Sequence, residues 1–194
     1  MAVELILASS SPYRRTLLER LRLPFRGIAP DVDESRLTGE RPDAMALRLA
    51  EVKARTVAAH HPQALVIGSD QVADLEGRAL GKPGTHEAAA RQLRDMSGKT
   101  VVFHTALCLI NSGSGKLHID NVTTGVRLRD LSDGEIENYL RRDQPYDCAG
   151  SAKVESLGIA LAASIESTDP TALIGLPLIA LTRMLRAEGV SPLS

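Results

Sequence analysis

The sequence predicts a mixed α/β fold, a twisted β-sheet flanked by helices. Two observations carry this. Short apolar runs alternate along the chain with stretches whose apolar residues recur at helical spacing. Two long β-rich segments, residues 100–110 and 117–129, flank the hairpin-forming "NSGSGK", so part of the sheet has to pair antiparallel. At 194 residues the chain has the size of one domain, 1–194.

Each element has a local reason. Residues 3–8 form a short buried strand. Ser9-Ser10-Ser11-Pro12 opens a helix, with Ser11 as N-cap and Pro12 at its first position. Leu17, Leu18 and Leu21 give that helix its apolar stripe, and it ends before Pro24. "GIAPDVDESRLTGERP" is a polar connection, longer than ordinary loops. A second helix covers 42–59, with Met45, Leu49 and Val52 on its inner face. Residues 64–68 read as a strand that ends at Ser69-Asp70-Gln71, and Glu76-Gly77 suits a turn between 72–75 and 78–80. Thr85 caps a helix that Ser97-Gly98 stops. Ser132 to Glu135 make a capping box for a helix through Arg142. An apolar strand at 159–165 follows, and a helix begun near Pro177 and stopped by Gly189 closes the chain.

Composition excludes some functions. Hydrophobic residues are 43% and charged residues 24%, enough for a core, and the formal net charge of −1 argues against a nucleic-acid polymer as partner. Aromatics at 3% with no Trp leave no stacking platform for single strands. Cys108 and Cys148 make neither a CxxC pair nor a disulfide framework; both are expected to be structural, although "YDCAGS" could bring Cys148 near a site. The N-terminal apolar run is too short and too early for a signal peptide, and none reaches membrane-spanning length, so the expected compartment is the cytoplasm and no membrane partner is expected.

The candidate functional residues sit where elements end. Ser9 to Arg15 place small polar residues at a helix start, where free N–H groups and the helix dipole attract anions, and Arg14 and Arg15 add guanidinium forks. A plain capped helix with basic surface residues is the competing reading. Asp31-Val32-Asp33-Glu34 is an acidic cluster of the kind usually just solvated; beside a second carboxylate and phosphate oxygens it could build a magnesium site. Asp70, at the end of its strand, is the candidate partner, against the plain reading of a turn-forming Asp. Lys53 by itself reads as a surface helix lysine. Lys82 is stiffened between Gly81 and Pro83. No histidine pattern suits a metal.

"LILASSSPYRRTLLERL", "APDVDES", "RLAEVKA", "IGSDQV", "LGKP" and "DCAGSAKVESLGI", in that order and followed by "LIGLPL", resemble the Maf family of nucleoside triphosphate pyrophosphatases. The resemblance implies an elongated, ITPase-like fold of two lobes with the active site in the cleft between them, commonly as a homodimer. It implies cleavage of a nucleoside triphosphate to monophosphate and pyrophosphate with a divalent cation such as Mg, Mn or Co, as a way of removing non-standard nucleotides. Tyr13, Gln71 and Glu155 are similar to the subgroup acting on 7-methyl-GTP; the common pattern has Arg, Thr and Gln at those places and acts on dTTP and UTP. The chemistry agrees: a carboxylate at Glu155 can accept from N1–H and the exocyclic amine of guanine, and Tyr13 stacked on a methylated, cationic base gains about 0.5–2 kcal/mol. The plainer reading pairs Glu155 with Lys153 or an arginine.

The expected roles follow. Glu34 and Asp70 hold the metal. Asp70 orients or deprotonates the attacking water. Ser9, Arg14, Arg15, Lys53 and Lys82 neutralise the phosphates. Two other readings stand beside this one: a phosphatase with Asp70 as nucleophile, and a nucleotide-binding regulator of cell division without turnover.

Overall fold

The serine run turns the chain from β1 (Glu4–Ala8) into α1 (Pro12–Glu19), with Ser11 accepting from the Arg14 N–H as the N-cap. The computed structural model describes residues 3–193. β2 (Arg26–Ile28), a short strand inside the long connection, was not apparent from the sequence because its one apolar residue sits at the strand's end. α2 (Pro42–Ala58) leads into β3 (Ala64–Leu75), β4 (Arg78–Leu80) and α3 (His86–Met96). The hairpin of β5 (Thr100–Asn111) and β6 (Lys116–Leu128) follows, then α4 (Asp133–Asp143), β7 (Ala162–Ser167) and α5 (Leu178–Ala187). The capping box at Ser132 and Glu135 is present with both of its hydrogen bonds.

One mixed sheet holds the strands in the order β2-β1-β3-β5-β6-β7, and β4 pairs with β3. β1 is parallel to β2 and β3; the remaining pairs are antiparallel. Among the described residues, three apolar clusters cover it. α1 and α5 pack on one face of its β1 end, and α2 packs on the other. A third cluster, built with α3 and α4, covers the far half of β3 and β6. The long strands therefore run from one lobe into the other.

Three expectations are corrected. The strand expected at 64–68 does not stop at Ser69: β3 continues without a break to Leu75, because β5 pairs with it all the way from Leu65 to Asp74. Residues 157–161 form a 3₁₀ turn, and the strand expected from 159 begins only at Ala162. The buried stripe of α2 is Ala46, Leu49, Ala50, Lys53, Ala54 and Val57, with Val52 only half-buried. Small alanines let this helix lie close to the sheet. The approach is tight at Gly68, where a Cβ would fall 2.1 Å from the Ala50 carbonyl oxygen.

Candidate active site

The break that the sequence suggested at Asp70 exists on only one edge of β3. β1 stops pairing at Gly68 and β4 starts pairing at Ala73, so residues 69–72 have β5 on one side and, among the described residues, no strand on the other. A cleft of ≈ 610 Å³ opens against that edge, between the lobes. It lies past the carboxyl end of β1, where open α/β sheets collect ligands.

Alternation along β3 sorts its side chains. Asp70 shares a face with Val66 and Gly68, toward α2, and there meets Lys53. Ser69 and Gln71 point to the opposite face. Ser69 Oγ lies 3.0 Å from the Gly175 carbonyl, and the Gln71 amide nitrogen donates to the carbonyls of Ala172 and Leu173, each at 3.0 Å. Gln71 lines the cleft, but its N–H groups hold the wall together.

Lys53 is the centre of the arrangement. Its ammonium lies 2.6 Å from Asp70 Oδ1 and 2.7 Å from Glu34 Oε1, gathering a strand carboxylate and a loop carboxylate around one cation. Lys53 is 4% exposed and Asp70 7%, so the lysine that reads as a surface residue is a buried one. A buried ammonium between two carboxylates is satisfied; without them it would be expelled or neutralised. Burial pushes Glu34 up, but the Lys53 hydrogen bond, with the charges of Lys53, Lys82 and Arg14, holds it below the usual glutamate value. The loop bearing Glu34 is itself fixed. Glu40 accepts from Arg48 at 2.6 and 2.8 Å, and Arg48 also donates to the Ser35 carbonyl.

Positive groups line the same cleft. Arg14 donates through Nε to the Gly175 carbonyl at 2.9 Å and reaches Ser9 Oγ at 3.5 Å. Burial draws its guanidinium below the usual arginine value, opposed by the charges of Asp70 and Glu34, and it remains a cation. Lys82 is exposed on the facing lobe. Its loop is clamped by the Gly84 N–H to the Tyr146 carbonyl and by Gln92 to the Gly81 carbonyl. Arg15, expected beside Arg14, does not join them. It stacks over Phe25 and faces Glu19 on the far side of α1, because consecutive helical residues diverge by about 100°.

Tyr13 and Glu155 stand on the lining of the cleft with Asp147 and Cys148. Among the described residues, Glu155 makes no hydrogen bond or ion pair, so its carboxylate is open to a ligand. Burial, with Asp147 adding, pushes the Cys148 thiol up to about 12, which makes it an unreactive wall residue. Arg36, Asp147 and the Gly175 carbonyl also belong to the cleft, and only their place in the fold reveals them.

The carboxylates suit a hard divalent cation. Among the described residues no group of three or more His, Cys, Asp or Glu could hold a metal alone. Glu34 and Asp70 offer two oxygen ligands, and magnesium sites commonly combine one or two carboxylates with substrate phosphates and water. No helix among the described residues is long and apolar enough to cross a membrane.

Comparison with known proteins shows the family of the chain. Residues 4–188 match the family described as Maf-like protein. A relative from Cupriavidus pinatubonensis, named 7-methyl-GTP pyrophosphatase, is 60% identical over 95% of this chain and 93% of its own. A second of the same name, from Burkholderia thailandensis, is 62% identical over 95% of this chain and 87% of its own. The Ham1 protein of Staphylococcus aureus superposes with a TM-score of 0.46 at 19% identity, covering 66% of this chain and 72% of that one. With the family matched from β1 to the end of α5, and relatives this similar along nearly the whole sequence, the chain belongs to the Maf family.

Proposed function

We propose that this protein is a nucleoside triphosphate pyrophosphatase that hydrolyses 7-methyl-GTP to 7-methyl-GMP and pyrophosphate. The observation that carries the reading is the convergence of Glu34 and Asp70 on Lys53, at the floor of a cleft rimmed by Arg14 and Lys82. The names of relatives about 60% identical support the choice of substrate.

Glu34 and Asp70 would hold the divalent cation, which when bound polarises the phosphoryl oxygens. Asp70 orients the attacking water and takes its proton as oxygen bonds to the α-phosphorus. The bond from that phosphorus to the bridging oxygen breaks, and pyrophosphate leaves with the electron pair. Lys53 holds both carboxylates close together despite their repulsion. Arg14 and Lys82 neutralise the charge that grows on the departing oxygens, where positioning and electrostatics supply most of the rate in phosphoryl transfer. Ser9 orients Arg14. Arg15 has no part in this.

Glu155 reads the guanine edge, accepting from N1–H and the amine, where uracil and thymine present carbonyl oxygens that repel it. Tyr13 supplies the face for the charged base. Gln71 acts indirectly, as a positioning residue that fixes the 172–173 turn beside Gly175 and Arg14.

Incubation with magnesium and a panel of 7-methyl-GTP, GTP, dTTP and UTP tests the reading. Pyrophosphate released fastest from 7-methyl-GTP is the expected result. A preference for dTTP or UTP would overturn the base assignment. Orthophosphate alone would point to a phosphatase, and no product from any nucleotide to a binding protein.

A further inference from the structure

We propose that Lys153 is a specificity-determining residue: its ammonium draws on the same ring, Tyr13, that a positively charged base would use, and so limits how tightly such a base is held. The inference deepens the proposed function and rests on that reading. The Lys153 Nζ stands over the Tyr13 ring, 5.4 Å from its centroid, within the range of cation–π attraction. Tyr13 lines the cleft and Lys153 does not, so the ligand meets the ring while the lysine is built into the wall.

The lysine is held there by its backbone. The Lys153 N–H donates to Tyr139 Oη at 3.0 Å, and its carbonyl accepts from Ser156 and Gly158. Gly158 is required for this wrapping, since a Cβ there would fall 2.5–2.7 Å from the Lys153 backbone. A hydrogen bond with the Tyr13 side chain chiefly raises the Lys153 ammonium above its usual value, burial opposing it, with the charges of Tyr13, Cys148 and Glu155 adding. The surroundings thus favour a cation at this spot, and the chain supplies one of its own. A quadrupole shared between two cations binds each less well. A neutral base would not feel this competition, and a charged product would be released more readily.

The test is calorimetric titration of the parent, Lys153→Met and Lys153→Arg with 7-methyl-GMP and with GMP, neither of which can release pyrophosphate. The quantity read is the ratio of the two affinities, in which general effects on phosphate binding cancel. Lys153→Met is expected to raise the preference for 7-methyl-GMP about two- to fivefold, the size of an exposed cation–π contact. Lys153→Arg, which keeps a cation over the ring, is expected to leave the ratio near that of the parent. An unchanged or lowered ratio in Lys153→Met overturns the inference, as does a parent that binds neither nucleotide. Pyrophosphate release from 7-methyl-GTP by the parent is scored separately: its absence sinks the proposed function even where the binding ratio moves as expected.

Discussion

Lys53 illustrates how a residue's meaning depends on what the fold brings to it. In sequence it is one basic residue among several on an amphipathic helix. In the structure it is the buried ammonium on which two carboxylates from distant segments converge. Glu155 is the opposite case, an exposed carboxylate that makes no hydrogen bond or ion pair among the described residues. That freedom fits a group reserved for a ligand edge. Glu155→Gln swaps a double acceptor for an amide that must present a donor to one of guanine's own donors. The variant is expected to lose about tenfold or more in kcat/KM for 7-methyl-GTP, and less for UTP. Steady-state kinetics on both nucleotides checks this; equal losses would remove Glu155 from base recognition.

At the scale of elements, the α2–β3 contact sets the distance between Lys53 and Asp70. Gly68 lets the helix settle against the strand two residues before Asp70, with no room for a methyl group. Gly68→Ala therefore has to push α2 away, at a cost of about 1–3 kcal/mol in stability from overpacking. It is expected to lower kcat as well, because the Lys53 bridge lengthens; a thermal melt alongside kinetics separates the two effects. A second contact pins α5 to the β5–β6 hairpin. Glu188 accepts from His118 at 2.7 Å and Asn111 at 2.6 Å, with Lys116 at 3.0 Å. These hydrogen bonds, the one from His118 foremost, hold its carboxyl down at about 2, from an ordinary glutamate value of 4.5. A depressed value in the folded state means stabilisation that is complete above pH 4.5 and fades as pH falls toward 2. Glu188→Gln is expected to cost about 1–3 kcal/mol at pH 7. The gap from the parent should close over that acid window in denaturant titrations at several pH values.

Across the whole molecule, legibility tracked whether a signal was local. Caps at Ser11, Thr85 and Ser132 are written in adjacent residues, and the helices begin where those residues say. The hairpin around "NSGSGK" and the mixed sheet follow from patterning in the same way. Asp70 was misplaced for a reason intrinsic to strands. A polar Ser-Asp-Gln after an apolar run reads as an ending, but here it marks where one neighbouring strand stops and another has yet to begin. Only the pairing register shows that. Arg14 and Arg15 are alike in sequence, and helix geometry alone sends one to the cleft and the other to Phe25. Charge and strand ends already suggested pairing the acidic cluster at 31–34 with Asp70, and the resemblance added Lys53 and Lys82 to the same place.

That convergence is most directly tested by pyrophosphate release from 7-methyl-GTP by Asp70→Asn, compared with the parent at saturating magnesium and with both proteins shown to be folded by circular dichroism. A loss of about a thousandfold or more in kcat is expected, since the change removes the acceptor of the water proton and one of two oxygen ligands near the reacting phosphate. Turnover within tenfold of the parent, in a folded variant, would contradict the assignment of this carboxylate pair as the reaction centre.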